Sequence, residues 1–169
     1  NFEGGPSALA AGLTGRTPRY GYHLDAHRVG TKHFEVAREP RDLADWGALG
    51  GIVGRATNSY WEVPVIGGIG RTPNSDELKH FGAAMASFGS VAMFHLVGLT
   101  PEAERLRDVA RADLPVHRVG RADIAALRDS YRTDGGVDVV VFSAPQLSLY
   151  ELRDLAELCP GVTHSLQRL

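Results

Sequence analysis

A histidine interrupts an apolar segment near the middle of the chain. His95 lies within residues 90–97, SVAMFHLV, and the composition of this run predicts a buried strand. An imidazole at such a position has two interpretations. It is either a neutral core side chain bonded to a backbone carbonyl, or a ligand or proton-transfer group that faces a crevice through a bend at the end of the strand. The spacing leaves both interpretations open.

Further polar residues follow predicted strands. The carboxyl ends of parallel strands meet at one edge of a sheet, where the N–H groups of helix starts favour a carboxylate or a phosphate. The alternative is that these residues only cap helices or lie exposed on them. The residues concerned are Asn74 and Lys79 with the loop 70–76, Thr100 after the strand of His95, and Ser148 at the end of the loop 143–148.

Metal-binding patterns are weak. His23 and His27 are four residues apart, as in helical metal pairs, but Gly21 and the absence of apolar periodicity argue against a helix. Cys159 is the only cysteine, which excludes an internal disulfide framework and a C-x-x-C pair. We therefore predict no metal ligands within this chain.

Composition limits the class of protein. The 169 residues carry a net charge of -2, which indicates neither a nucleic-acid partner nor a membrane-surface partner. Hydrophobic residues make up 43%, and no segment has the roughly 18 consecutive apolar residues of a membrane-spanning helix. We expect a cytoplasmic protein. The chain begins at Asn1 without an initiator methionine or a visible targeting segment, which suggests a piece of a longer protein.

The alternation of apolar runs and helix signals predicts an α/β fold, a mostly parallel sheet flanked by helices. Residues 1–169 are expected to form a single α/β unit with a possible irregular subregion over 1–58, in which we predict a helix near 8–13, an extended piece at 33–36 and a helix near 43–53. Strands are predicted at 63–69, 91–97, 116–119 and 137–142. Further helices are predicted over 122–131 and from starts at Asn74, Thr100 and Ser148.

Several ordered motifs carry a resemblance to a known family. They are residues 1–10 (NFEGGPSALA), 13–18 (LTGRTP), 20–24 (YGYHL), 76–79 (DELK), 82–84 (GAA) and 94–103 (FHLVGLTPEA). Together they resemble aconitase X. The resemblance implies a dehydratase of the aconitase superfamily, built from a large catalytic part and a smaller swivelling part around an iron or iron–sulfur site. The family includes bacterial enzymes that dehydrate cis-3-hydroxy-L-proline and archaeal enzymes that dehydrate 5-phosphomevalonate.

The motifs match only the middle of the large part. The resemblance therefore implies that the partners of this chain are the remaining large-part segments, a swivelling small domain or subunit, and a small carboxylate substrate. Iron or an iron–sulfur cluster is expected in the complete enzyme and none in this fragment alone. Many relatives carry a cysteine where this chain has Ala144, which cannot bind iron and indicates a different iron centre.

The family chemistry assigns roles to residues. Dehydration requires a base beside a carboxylate, a Lewis acid at the hydroxyl, and cations or N–H donors that hold the carboxylate. The resemblance implies catalytic roles for His95 and Lys79. Substrate contacts are expected from Asn1, Glu3, Gly4, Gly5, Ser7, His23, Thr100 and Ser148.

The Arg- and Ala-rich composition and the segments 60–64 and 76–82 look bacterial, which favours cis-3-hydroxy-L-proline as substrate. The alternatives are the large-subunit portion of a 5-phosphomevalonate dehydratase and a non-catalytic assembly partner of an aconitase-like enzyme. Sequence on either side of this chain discriminates between enzyme and assembly partner, because the enzyme requires cysteines and a swivelling domain.

Overall fold

The computed structural model describes residues 5–131, 135–136, 138–142 and 145–160. The chain divides into two compact units, Asn1–Thr133 and Asp134–Leu169. The described part of the second unit contains one helix, α6 (Leu149–Leu158). Over the described ranges, no helix has the length and apolar character needed to cross a membrane.

The first unit is built on a four-stranded sheet in which every pairing is parallel. The strands are β1 (Lys32–Val36), β2 (Pro64–Gly67), β3 (His95–Leu96) and β4 (Val116–Val119), in the order β3-β2-β1-β4. This confirms the predicted α/β class. β1, which we expected only as an extended piece of an irregular region, is an interior strand that pairs with both β2 and β4.

Helices occupy most of the predicted places. The structure confirms helices near 8–13, 43–53 and 122–131 and those that start after Asn74 and Ser148. In the first unit they are α1 (Pro6–Thr14), α2 (Leu43–Thr57), α3 (Ser75–Gly89), α4 (Leu106–Val109) and α5 (Arg121–Asp129), with short 3-10 turns at Gly21–His23 and Asp25–His27.

Reciprocal hydrogen bonds at two helix starts explain why the sequence predicts them. Asn74 Oδ1 accepts from the Glu77 N–H at 2.9 Å, and Glu77 Oε2 accepts from the Asn74 N–H at 2.8 Å. Ser148 and Glu151 make the same exchange at the start of α6. These bonds satisfy N–H groups that a helix start leaves unpaired, and they involve residues only three apart.

The core lies between the sheet and helices α2, α3 and α5. Phe34 and Ile66 of the sheet pack in one buried cluster with Leu49 of α2, Phe81 of α3 and Ile124 of α5. A smaller cluster joins Val65, Ala103 and Val109. Because side chains alternate along a strand, Ile66 and Val65 point to opposite faces of the sheet, so both faces of β2 are covered.

The predicted helix start at Thr100 is wrong. The Thr100 hydroxyl accepts from the Leu96 N–H at 3.0 Å and donates to the Leu96 carbonyl at 3.1 Å, and it closes a turn directly after β3. The next helix is the short α4, which begins six residues later at Leu106. A threonine hydroxyl can bond the backbone of an earlier residue instead of capping a helix that follows it, and Thr100 bonds the earlier residue Leu96.

Two strand predictions require correction. The strand predicted over 91–97 is reduced to His95–Leu96. Residues 138–142 form no strand, and Val137 lies outside the described residues. Val139 and Val141 are each 75% exposed, instead of being buried on both faces. An apolar β-branched run becomes a strand only beside a partner strand, and no partner occurs in the described part of the second unit.

Glycines permit a close approach of α2 and α3. A Cβ atom added at Gly50 would lie 2.3 Å from the Phe81 carbonyl oxygen, whereas one added at Gly47 has no neighbour within 4 Å. Both glycines lie inside α2. An alanine side chain therefore fits at position 47 but clashes with α3 at position 50.

We predict that Gly50→Ala lowers the free energy of unfolding by about 2 kcal/mol, because the methyl group forces the two helices apart. Gly47→Ala should raise the free energy of unfolding by up to about 1 kcal/mol through higher helix propensity. Urea denaturation of the 169-residue chain measures both. Equal stabilisation by the two substitutions would contradict the close helix contact.

Candidate functional site

His95 is the first residue of β3 and is only 2% exposed. Its Nε2 atom lies 2.7 Å from the backbone oxygen of Arg28. A carbonyl oxygen only accepts, so the Nε2–H donates, and in a neutral ring bonded in this way Nδ1 carries the lone pair. The contact is the kind expected of a buried strand histidine, and it fixes the orientation of the ring.

His95 forms part of the wall of a cleft of about 290 Å³. The cleft is lined by Arg28, by residues 91–95 and by Thr100, Pro101 and Glu102. Arg28 precedes β1 and residues 91–94 precede β3, so this part of the lining lies toward the amino ends of the strands, whereas residues 100–102 follow β3. The crevice that we expected His95 to face was at the carboxyl ends of the strands, and a role for His95 in such a crevice stays a prediction.

Two of the residues that line this cleft form an ion pair. Arg28 Nε donates to Glu102 Oε2 at 2.8 Å, and a second bond joins Arg28 Nη2 to Glu102 Oε1. The hydrogen bond from Arg28 lowers the pKa of Glu102 below its usual value, against the opposing effect of burial. The same bond raises the pKa of Arg28. The cleft therefore places a fixed imidazole beside a pair that is ionised at neutral pH.

Lys79 does not join His95. It lies on α3, is partly buried, and forms an ion pair with Asp76 at 3.2 Å. The described residues that line the His95 cleft do not include it. Thr100 lines the cleft, but its hydroxyl already bonds the backbone of Leu96.

The other predicted substrate contacts are scattered in the structure or fall outside it. Asn1, Glu3 and Gly4 lie outside the described residues. Gly5 precedes α1 and has a positive φ of 71°, which favours glycine. Ser7 lies on α1, a helix in which no described residue is buried, and His23 is an exposed residue at the end of a 3-10 turn. Ser148 caps α6 of the second unit.

The described residues do not present a metal site. No group of three or more His, Cys, Asp or Glu side chains is placed to hold a metal ion within the described part of the chain. Cys159 is exposed at the end of α6, and Ala144 lies outside the described residues. An iron–sulfur cluster needs several thiolates, so the residues described here do not fit such a cluster by themselves.

The loop after β2 is held by an internal ion pair. Arg71 donates two hydrogen bonds to the buried carboxylate of Glu77, at 2.8 and 2.6 Å. These bonds outweigh the effect of burial and, with the Asn74 N–H, lower the pKa of Glu77 to about 2. The guanidinium of Arg71, which lies in the loop 70–76, is therefore already paired.

Sequence reasoning missed a second cleft at the carboxyl edge of the sheet. It has a volume of about 390 Å³ and lies beside the ends of β1 and β4. The signal was present, because Arg38 and Arg121 each follow a strand by two residues. Without β1 as an interior strand, the sequence pattern does not bring these two residues together. The charged residues that line this cleft are Arg38, Glu39, Arg41, Asp45, Arg121, Arg128 and Asp129.

Comparison with known proteins matches this chain to one family model and to proteins named as dehydratases. A family model described as "Aconitase X second domain" matches residues 30–129. The phosphomevalonate dehydratase large subunit of Methanothermobacter thermautotrophicus is 41% identical over 92% of this chain and 38% of its own. The cis-3-hydroxy-L-proline dehydratase of Pseudomonas aeruginosa is 37% identical over 90% of this chain and 27% of its own.

A solved structure gives the same fold. The holo-form of Thermococcus kodakaraensis aconitase X superposes with a TM-score of 0.75 at 36% identity, over 94% of this chain and 40% of that one. The chain therefore spans two fifths or less of the length of these relatives.

The Glu77 ion pair leads to a pH prediction. Its folded pKa of about 2 lies below the ordinary value of 4.5, so the carboxylate stabilises the fold above about pH 4.5 and this contribution is lost as the pH falls toward 2. Glu77→Gln should lower the free energy of unfolding at pH 7 by about 2 kcal/mol.

The difference between wild type and Glu77→Gln should shrink steadily between pH 5 and pH 2, about the window set by the two pKa values. Chemical denaturation at several pH values measures it. Glu104→Gln, at an exposed carboxylate, is the matched control and should change stability by less than about 0.5 kcal/mol. If Glu77→Gln lowered the free energy of unfolding by the same amount at every pH, the ionised carboxylate of Glu77 would not contribute to stability.

Proposed function

The chain belongs to the aconitase X family, and on that premise we propose that it forms part of a hydro-lyase that removes water from a small hydroxy carboxylate. The observation that carries the proposal is the family match over residues 30–129, a range that contains all four strands of the sheet. The relatives that we compared at this level of identity are named as dehydratases, and their names support the reaction class.

Two substrates are candidates. The sequence features described above favour cis-3-hydroxy-L-proline, and the Pseudomonas relative bears that name. The 41% identity to an archaeal large subunit favours phosphomevalonate as the second candidate. In both compounds the hydroxyl group is on the carbon β to a carboxylate. A single type of β-elimination of water therefore serves either of them. An assay of the complete protein with each compound tests the choice.

We assign proton transfer to His95. Its Nε2–H is bound to the Arg28 carbonyl, which orients the ring and leaves the Nδ1 lone pair as the basic site. The buried ring forms part of a cleft wall next to the Arg28–Glu102 ion pair. The same hydrogen bond also serves a structural role, so the test must separate the two.

Anion contacts are assigned to Lys79, Thr100 and Ser148 and to the N-terminal turn. The cation of Lys79 would hold a substrate carboxylate as charge develops. The turn would contribute Gly4, Gly5 and Ser7, with Asn1 and Glu3 before them and His23 beyond α1. These assignments depend on the family resemblance, and the remainder of the complete protein would have to bring the groups together.

Iron or an iron–sulfur cluster would supply the Lewis acid in the complete enzyme. Since the described residues do not fit a cluster, its ligands would come from other parts of the protein. We propose that these parts are the remaining large-part segments and a swivelling small domain or subunit. The name "large subunit" of the archaeal relative supports a partner chain. A non-catalytic assembly role is the alternative.

In the complete enzyme, His95→Gln should lower turnover about a hundredfold, because glutamine keeps a donor for the Arg28 carbonyl but cannot transfer the proton. Lys79→Ala should have an effect of similar size through lost charge stabilisation. His27→Gln, at an exposed histidine, is the control and should leave turnover unchanged. Normal turnover of a folded His95→Gln variant would make His95 structural.

The isolated 169-residue chain should purify without visible absorption and should dehydrate neither substrate, even when iron and sulfide are supplied. The reason is that it carries a single thiol, Cys159. Absorption spectra, iron analysis and an activity assay measure this. Stoichiometric iron with a thiolate band that disappears in Cys159→Ser, or turnover by this chain alone, would contradict it.

A further inference from the structure

The carboxyl-edge cleft beside β1 and β4 contains four arginines and three carboxylates among its described lining residues. Ligands of α/β proteins bind at the carboxyl ends of the strands, and this cleft is at that position. Its volume of about 390 Å³ is large enough for a small metabolite. None of its residues was used in the function proposed above.

Two of the four arginines are already neutralised. Asp45 is 3% exposed and accepts from Arg41 Nε at 3.0 Å and from Arg128 Nη1 at 2.5 Å. Burial opposes the ionisation of Asp45, but these hydrogen bonds outweigh it and lower the pKa to about 2. Arg128 also lies 3.3 Å from Asp42, the cap of α2. The guanidinium groups of Arg41 and Arg128 are therefore held in place by ion pairs with carboxylates of this chain.

The other two arginines are Arg38 and Arg121. Both are exposed, and among the described residues neither forms an ion pair with a carboxylate. The nearby carboxylate of Glu39 accepts from the Gly70 N–H at 2.5 Å, which ties it to the loop after β2. Two guanidinium groups thus remain available at the cleft.

The sheet register places Arg38 and Arg121 at equivalent heights. Val36 at the end of β1 is the register partner of Val119 at the end of β4. The Ala37 N–H donates to the Val119 carbonyl at 2.9 Å, so the pairing continues past the strand ends. Each arginine stands two residues beyond its paired valine. The two strands thus deliver two unpaired guanidinium groups to the same cleft.

We propose that Arg38 and Arg121 form a binding site for the phosphate group of a small phosphate monoester. A guanidinium donates two parallel hydrogen bonds to phosphate oxygens, and two such groups match the three terminal oxygens. A phosphate monoester carries a charge of about -1.5 to -2 near pH 7, which two free arginines balance. A single carboxylate would use only one of them.

The first test is a calorimetric titration of the 169-residue chain with inorganic phosphate at constant ionic strength. We expect Arg38→Gln and Arg121→Gln each to weaken binding at least tenfold, and the double variant to show no binding. Arg107→Gln, which removes the same charge from the exposed side of α4, is the control and should bind like wild type. NMR spectra of the same samples check folding.

Three results would overturn the proposal. They are an absence of phosphate binding by the wild-type chain, normal binding by both single variants, or an equal loss in Arg107→Gln, which would indicate nonspecific charge attraction. Arg38→Lys provides a second variant, since it keeps the charge but loses the planar fork, and it should bind at least threefold more weakly than wild type.

The source of the phosphate is tested in the complete enzyme. If the substrate supplies it, Arg38→Gln should raise KM for phosphomevalonate and leave KM for cis-3-hydroxy-L-proline unchanged. An unchanged KM for phosphomevalonate, with phosphate binding still lost, assigns the site to a separate phosphate ligand. This arm rests on the proposed function, whereas the titration does not. A protein that dehydrates neither compound but binds phosphate through these arginines would retain the site and lose the proposed function.

Discussion

Parallel pairing on both sides of β1 is the constraint on which the first unit depends. β1 pairs with β2 on one side and with β4 on the other, and it brings together chain segments that are about 30 and more than 80 residues apart. Because the strands are parallel, every loop that leaves the sheet at one edge follows a strand end. The position of each charged residue near that edge is then set by how many residues separate it from its strand.

Internal ion pairs hold the loops that leave the sheet. Asp45 joins the segment after β1 to α5 through Arg41 and Arg128. Glu77 joins the loop after β2 to the start of α3 through Arg71. Both carboxylates are buried and have a pKa of about 2, so they stay ionised at neutral pH. A buried charge of this kind is stable only while its partner is present, which makes the loop positions specific.

The two ends of the sheet carry different chemistry. Near the amino ends, His95 is buried and bound to the Arg28 carbonyl beside an ion pair. At the carboxyl edge, the cleft of Arg38 and Arg121 is exposed and rich in guanidinium groups. The proton transfer proposed for His95 and the phosphate binding proposed for Arg38 and Arg121 are therefore assigned to two separate clefts. This chain spans two fifths or less of the length of the relatives that it matches, so in the proposed enzyme other segments would have to complete any single site.

The sequence by itself determined the features that depend on neighbouring residues. The caps at Asn74 and Ser148, the strand at 116–119 and the α/β class follow from local hydrogen bonds and hydrophobic patterns. Tertiary structure decided the rest. The central place of β1, the exposure of residues 139–142 and the presence of Arg38 and Arg121 in one cleft depend on which distant segments pair. Such pairing is a property of the whole chain, because a strand or an ion pair is stabilised by partners that the local sequence does not specify.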